Sequence, residues 1–246
     1  MTVPAESIFF DLWSASYDRA GLQEATNRPV HDAVLERLGD ARPRSVLDLG
    51  CGTGQLCERL RALDADSRIV GVDLSDGALL HASGRSGGDD ATPGDDVAAG
   101  AGAGPRPIEF VRADAQDLPF DDGAFDLVIC TQSFHLYADQ VGAVAQVHAL
   151  LAPGGRFMIA SVATVTGFGD DAIRRATALA GRPVKAIPKR RLRTLLDDGG
   201  FDVEHQGRIP RLGLVPWPVL TDATRRGSRA RPAVSSAARG TRPRRR

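Results

Sequence analysis

Glycine stands at every second position, 50, 52 and 54, in the stretch VLDLGCGTGQL at residues 46–56. A short apolar run leads into it and a helical pattern follows. Glycine lets the backbone N–H groups of such a turn, and the start of the next helix, approach a ligand closely. Tight strand-to-helix turns also need glycine for structural reasons alone, so the triplet by itself carries little weight. Asp73 lies 19 residues beyond Gly54, at the end of the next apolar run. A carboxylate there can accept both hydroxyls of a ribose. On these residues alone a dinucleotide and an S-adenosyl ligand fit equally well.

Two neighbours of the triplet separate those ligands. The dinucleotide fingerprint wants Gly or Ala three places after its second glycine, and here that place is Gln55. Two residues before the loop stands Asp48. Its charge sits poorly beside a pyrophosphate and suits a ligand carrying an ammonium and a sulfonium. The electrostatics favour S-adenosylmethionine.

These residues need elements to position them. Residues 7–38 read as helical, with Pro29 in a first turn, Val30, Ala33, Val34 and Leu38 on one face, and Gly39 as a stop. SVLDLG reads as a buried strand, QLCERLRAL as a helix with Leu56, Leu60 and Leu63 on one face, and RIVGVDLS as a strand ending at Asp73. IEFVRAD and FDLVICT read as strands, the second after the turn signal DDGA. ADQVGAVAQVHALL reads as a helix with Val141, Val144 and Leu151 along one side, stopped by PGG, and RFMIASV as a strand. DDAIRRATALAG and PKRRLRTLLDDGG read as helices, the latter bracketed by Pro188 and Gly199. FDVEHQGRIP and GLVPWPVLTDA close the pattern as two strands, an antiparallel pair. Strands alternating with helices imply an α/β fold: a doubly wound, mostly parallel seven-stranded sheet, Rossmann-like, with helices on both faces.

Two stretches fall outside that pattern. Residues 84–107 hold seven Gly and three Pro in 24 positions, with almost no large apolar side chain to offset ordering entropy. They read as a disordered surface insertion. Residues 227–246 carry seven Arg and no acid, which leaves −7 on residues 1–226 of a chain whose formal net charge is zero. They read as a disordered basic tail on one domain spanning 1–226. The chain is 42% hydrophobic and 25% charged, ordinary for a globular protein. No run approaches the length that spans a bilayer, and MTVPAESIFFDLW lacks the pattern of a signal peptide. Cys51, Cys57 and Cys130 form no CxxC pair and fit buried thiols in a reducing cytoplasm better than disulfides or a metal site.

In a doubly wound sheet, ligands bind outside the carboxyl ends of the strands. Four segments end there: DLGCGTG, GVDLS, RADAQD and CTQSF. With LLAPGGRFMIAS further on, they occur in the order found in class I S-adenosylmethionine-dependent methyltransferases, which residues 10–226 resemble. Within that family they are most similar to the group containing the quinone-biosynthesis C-methyltransferases and many small-molecule methyltransferases. The resemblance implies roles. Asp48, Gly50, Gly52 and Gly54 would cradle the methionine part and the ribose side. Asp73 would bind the ribose hydroxyls and Leu74 would pack on the adenine. Asp114 would accept from the adenine amino group, with the Ala115 N–H facing the ring, and Thr131 would lie beside the methionine moiety. Tyr17, in ASYDRA, would close over the cofactor. Family members fill the connection after the second strand with a helix; here only SDGALLHAS remains of one.

A sulfonium is already an activated methyl donor, so the protein must align an acceptor and exclude water. A base is needed only where the acceptor still holds its proton. His135, just after the fourth strand, is placed to act as one or to order its loop. Asp126 reads as structural. CTQSF is not the motif of amino-methylating DNA enzymes, and Cys130 lacks the proline that precedes a cytosine-C5 nucleophile. The expectation is a small-molecule acceptor and no specific nucleic acid. An NAD-dependent oxidoreductase and a binding-only methyltransferase-like protein are the alternatives. The acceptor atom and the oligomeric state are not legible.

Overall fold

The computed structural model describes residues 20–85, 104–162, 187–209 and 218–227. Tyr17, the helix expected over 170–181, the core of the 84–107 insertion and the basic tail lie outside them. In chain order the elements are α1 (Ala20–Leu38), β1 (Ser45–Leu49), α2 (Gln55–Leu63), β2 (Arg68–Asp73), α3 (Asp76–Arg85), β3 (Glu109–Arg112), β4 (Phe125–Thr131), a 3-10 turn (Phe134–Leu136), α4 (Gln140–Leu150), β5 (Leu151–Val162), α5 (Lys189–Asp198), β6 (Phe201–Arg208) and β7 (Pro218–Arg225). The strands form one seven-stranded sheet in the order β3-β2-β1-β4-β5-β7-β6. β1 to β5 pair in parallel, while β7 runs antiparallel to both its neighbours, β5 and β6. The expected doubly wound sheet and its closing antiparallel pair are both present.

Alternation along the strands divides the core in two. Leu47, Leu49, Val70, Val72, Val128, Cys130, Phe157 and Ile159 face one side, under Val144, Val147 and Leu150 of α4 and Leu192 and Leu196 of α5. Val46, Ile69, Leu127, Ile129, Met158 and Ala160 face the other, under Val30 and Val34 of α1 and Leu56 and Leu60 of α2. Each fully buried aliphatic side chain contributes about 1.5–3 kcal/mol. Within β1 the alternation is broken chemically by Asp48, which is buried among those apolar neighbours.

Several boundaries differ from the sequence reading. Pro29 lies inside α1 rather than in its first turn; a proline there leaves one carbonyl a turn earlier without its helical partner. Leu63 is 45% exposed because α2 ends at that residue. In α4 the buried face is Ala143, Val144, Val147 and Leu150, with Val141 exposed; Leu151 already belongs to β5. PGG does not stop that helix. It falls inside β5, where Gly154 takes φ +77° and the pairing with β4 shifts register between Phe125 and Leu127. α3 continues to Arg85, two residues into the expected insertion.

The insertion's far end returns through the N–H of Arg106 to the carbonyl of Ala65. Two polar clamps tie the layers together. At the entry to β1, Asp126 Oδ2 accepts from the N–H groups of Arg44 and Ser45 and from the Ser45 hydroxyl, the structural role expected of it. Beneath β5 and β7, the fully buried Asp222 takes Arg37 of α1 at 2.7 Å and Arg156 of β5 at 2.9 Å. Both guanidiniums reach solvent in part, and the carboxylate does not. Removing Asp222 therefore leaves two hydrated cations, whereas removing both arginines strands a buried anion. In urea denaturation Asp222→Ala is expected to cost about 1–3 kcal/mol and the double variant R37M/R156M about 3–5 kcal/mol. The reverse order would contradict this arrangement.

Candidate active site

The site is set by where β1 ends. Its register with β2 pairs Leu49 with Val72, so Gly50, one residue on, stands beside Asp73. Its register with β4 pairs Asp48 with Ile129, so Gly50 also stands beside Thr131. The chain then turns sharply into α2. Gly50, Gly52 and Gly54 all take positive φ, +76°, +54° and +75°, where a Cβ crowds the following carbonyl. The N–H groups of Gly50 and Cys51 both donate to the Val72 carbonyl, at 2.7 and 2.9 Å. The Gly52 N–H donates to Asp73 Oδ2 at 2.9 Å, and the Ser75 N–H to Oδ1 at 3.0 Å. The glycine loop is thus pinned to the end of β2, with the Asp73 carboxylate half-buried on it.

The three glycines do different work. A Cβ at Gly50 would lie 2.4 Å from Ser133 Oγ, and one at Gly54 would lie 3.0 Å from both Ala82 and Phe110. A Cβ at Gly52 would meet nothing within 4 Å. Gly50 and Gly54 are required by neighbours, and Gly52 borders open space beside Asp73. Ser133 and Tyr137 close over Gly50 by both donating to the Leu49 carbonyl, at 3.0 and 3.3 Å, with Cys130 completing the cluster. Burial raises the Cys130 thiol to about 11, which fits an inert packing thiol rather than a nucleophile.

Asp48 lies under the loop. Cys57 Sγ, 3.4 Å away, donates to its Oδ2, and Oδ1 has no hydrogen-bond partner. Burial pushes its carboxyl up to about 7; the Cys57 hydrogen bond pulls the other way and the charge of Asp73 adds to the rise. Thr53 Oγ1 and Gln132 Oε1, in the same loop and at the end of β4, are likewise buried without partners. Open space at Gly52, a held carboxylate at Asp73 and a buried acid without a full partner set suit a polar, cationic ligand with vicinal hydroxyls. Thr131 is half-buried at the mouth, and Leu74 follows Asp73 with its carbonyl accepting from Arg112.

The remaining candidates sit one strand to either side. Asp114 and Ala115 follow β3, where the Ala113 N–H donates to the Asp73 carbonyl. Asp114 Oδ1 accepts from the backbone and side-chain N–H groups of Gln116, and Ala115 is buried. His135 lies in the 3-10 turn after β4, with Nδ1 3.0 Å from Ser161 Oγ on β5. Sequence reasoning missed Ser133, Tyr137, Phe110, Gln132 and Ser161. The sequence carries no signal for the first three, since their roles follow from which strands are neighbours. Gln132 takes φ +56°, the one non-glycine residue with positive φ among those described. That conformation costs about 1–2 kcal/mol.

Two substitution sets test this geometry. Gly50→Ala combines backbone strain with a clash and is expected to cost at least about 3 kcal/mol in chemical denaturation, against about 1–2 kcal/mol for Gly52→Ala. Equal costs would mean that Ser133 does not close over the loop. For Asp48, the native pKa of about 7 lies above the unfolded value. Folding therefore loses free energy as pH rises from about 4 to about 7 and loses no more above, on the order of 4 kcal/mol in total. Asp48→Asn removes that loss. It is expected to melt higher than wild type at pH 8 and no higher at pH 4.5; an unchanged difference between the two pH values would refute the buried acid.

A family profile described as "Methyltransferase domain" matches residues 47–159. Demethylmenaquinone methyltransferase of Thermus thermophilus is 33% identical over 132 residues, 54% of this chain and 51% of that protein. O-methyltransferase cnsE of Penicillium expansum is 29% identical over 167 residues, 68% of this chain and 55% of that protein. The chain spans about half the length of these curated relatives. The solved structure of an S-adenosylmethionine dependent methyltransferase from Mesorhizobium loti superposes with a TM-score of 0.62 at 22% identity, over 83% of this chain and all of that one. The seven-stranded order, the glycine loop pinned to an acidic β2 end and the match across β1 to β5 agree: residues 47–159 are similar to a methyltransferase domain, and the fold is the one seen in solved S-adenosylmethionine-dependent methyltransferases.

Proposed function

We propose that the protein transfers a methyl group from S-adenosylmethionine to a small-molecule acceptor. The observation that carries this reading is Asp73, held by the Gly52 and Ser75 N–H groups beside open space at Gly52. Its oxygens accept from the Gly52 and Ser75 N–H groups, which orients the carboxylate at the end of β2, and a carboxylate oxygen so oriented suits ribose hydroxyls. Asp48 faces the cationic end. Its carboxyl is poised near neutrality, so an approaching ammonium and sulfonium favour its ionised form. Gly50, Gly52 and Gly54 provide close backbone approach, Leu74 an apolar wall for the adenine, Asp114 an acceptor and Ala115 an N–H donor for its edge. Thr131 is assigned to the methionine side, and the resemblance gives Tyr17, outside the described residues, the role of closing over the cofactor.

S-adenosylmethionine, when bound, supplies a methyl group activated on a sulfonium. The chain's share is to seat donor and acceptor in line and keep water out. His135, oriented through Nδ1 by Ser161, is the base for an acceptor that still holds its proton. The relatives are a demethylmenaquinone methyltransferase and an O-methyltransferase, which differ in the acceptor, and this supports a shared donor site with a separately determined acceptor pocket. The same reading takes the chain as one methyltransferase domain over 1–226 working in the cytoplasm. Among the described residues no helix is long and apolar enough to cross a membrane.

Thermal-shift titration tests the donor. S-adenosylhomocysteine is expected to raise the melting temperature and NAD to leave it unchanged. At a hundredfold excess over Kd the stabilisation is about 2.7 kcal/mol. Asp73→Ala is expected to abolish the shift while the variant remains folded; a wild-type shift in that variant would refute the ribose assignment.

A further inference from the structure

Methyl transfer removes one positive charge from the donor: the S–CH3 bond breaks, its electron pair stays on sulfur, and the methyl group goes to the acceptor. Donor and product share the ribose, the adenine and the amino-acid end. They differ by one methyl group and one charge. A site that takes up the first and gives off the second needs a group that responds to that charge. Asp73 does not separate them, because the ribose it suits is common to both.

Asp48 has the surroundings such a group requires. It is 1% exposed, on β1 two residues before Gly50. Its Oδ1 has no hydrogen-bond partner, and its Oδ2 accepts from Cys57 Sγ at 3.4 Å. The titratable groups around it come from four places. On α2, the hydrogen bond with Cys51, burial and the charge of Asp48 push the Cys57 thiol well above the usual range. In the loop, against the pull of its hydrogen bond with Cys57, burial and the charges of Asp48 and Asp73 push the Cys51 thiol up to about 11. On β4, the Cys130 thiol is raised by burial and feels Asp48. At the end of β2, the charge of Asp73 adds to the rise of Asp48. On α1, over the same face of the sheet, His31 and Asp32 couple to Arg59 instead. Asp48 therefore has neutral thiols and a second acid for company, and it is cut off from water. Such a carboxyl takes a proton readily and gives it up when a cation arrives. Asp48 and Asp73 act on each other through space, so charge on a ligand seated at Asp73 is within reach of Asp48.

We propose that Asp48 discriminates the charged donor from the product with its neutral sulfur, giving up a proton when S-adenosylmethionine binds and taking one back when the methyl group has left. This rests on the methyltransferase reading above and adds to it a charge-linked release of product. Before the ligand arrives the Asp48 carboxyl stands at about 7, raised by burial. Below that pH the donor must displace a proton to bind, so its affinity falls as pH falls. The product asks less of Asp48, and its affinity changes less.

Isothermal titration calorimetry of the full chain, with S-adenosylmethionine or S-adenosylhomocysteine and no acceptor, tests this. Between pH 7 and pH 5.5 the ligands' own amino groups, which titrate at about 7.7–8.0, stay protonated. Over that range the donor Kd is expected to rise about tenfold and the product Kd less than about threefold. In buffers of different ionisation enthalpy at pH 6.5, donor binding is expected to release about 0.7 proton and product binding clearly fewer. Asp48→Asn cannot ionise, and the ratio of its two Kd values is expected to stay constant with pH. Melting curves establish that this variant is folded; the wild-type proton count decides without it. Equal proton release for the two ligands, a constant wild-type ratio between pH 7 and pH 5.5, or a pH-dependent ratio in folded Asp48→Asn overturns the proposal. Binding of neither ligand at any pH fails the donor reading and this inference with it.

Discussion

The backbone at Gly50 has almost no room, and the rest of the site follows from that. Its N–H and that of Cys51 share the Val72 carbonyl, while Ser133 and Tyr137 share the carbonyl of Leu49 just before it. The end of β1 is thereby gripped from β2 on one side and from the turn after β4 on the other. No side chain fits between, because a Cβ at Gly50 would fall on Ser133. With the exit direction of β1 fixed, Gly52 must meet Asp73 and α2 must start beside the opening. The structural grip and the proposed ligand cradle are the same few atoms.

Asp48 shows what this arrangement costs. A carboxyl buried to the point of titrating near 7, with one oxygen unpaired, destabilises the fold at neutral pH. Its neighbours do not neutralise it: no cation is among the causes of its shift, and the charge of Asp73 pushes the same way. The contrast with Asp222 is instructive. That carboxylate is as deeply buried but takes two arginines, and it reads as a fastener between α1, β5 and β7. One buried acid has its partners within the fold, and the other keeps an oxygen without one, which is what the proposed cationic ligand would complete. Stability given up at a site in this way is a common mark of binding function.

Much of this was legible in the sequence because it depends on local spacing. The alternation of strands and helices read correctly, the glycine triplet, Asp48 and Asp73 fall together at the ends of β1 and β2, and the order of four short segments carried the family resemblance. What was not legible depends on which strands become neighbours. Ser133 closes over Gly50 only because β4 lies beside β1, and Ser161 reaches His135 only because β5 lies beside β4. The buried face of α4 was misread because Val141 is apolar yet points to solvent, while small Ala143 is buried. The PGG triplet was misread as a helix stop because its signal, flexible backbone, serves equally for an irregular strand. The positive φ of Gln132 leaves no sequence signal, since glutamine is not a residue that favours it.

Amide hydrogen exchange with and without S-adenosylhomocysteine tests most directly whether the ligand occupies the glycine loop. Slowed exchange is expected at residues 50–54 and 73–75, where N–H groups border Gly52 and Asp73, with little change in β6 and β7. Binding that leaves residues 50–54 and 73–75 unchanged, or that protects only the β6–β7 edge, would contradict the placement of the donor at the end of β1.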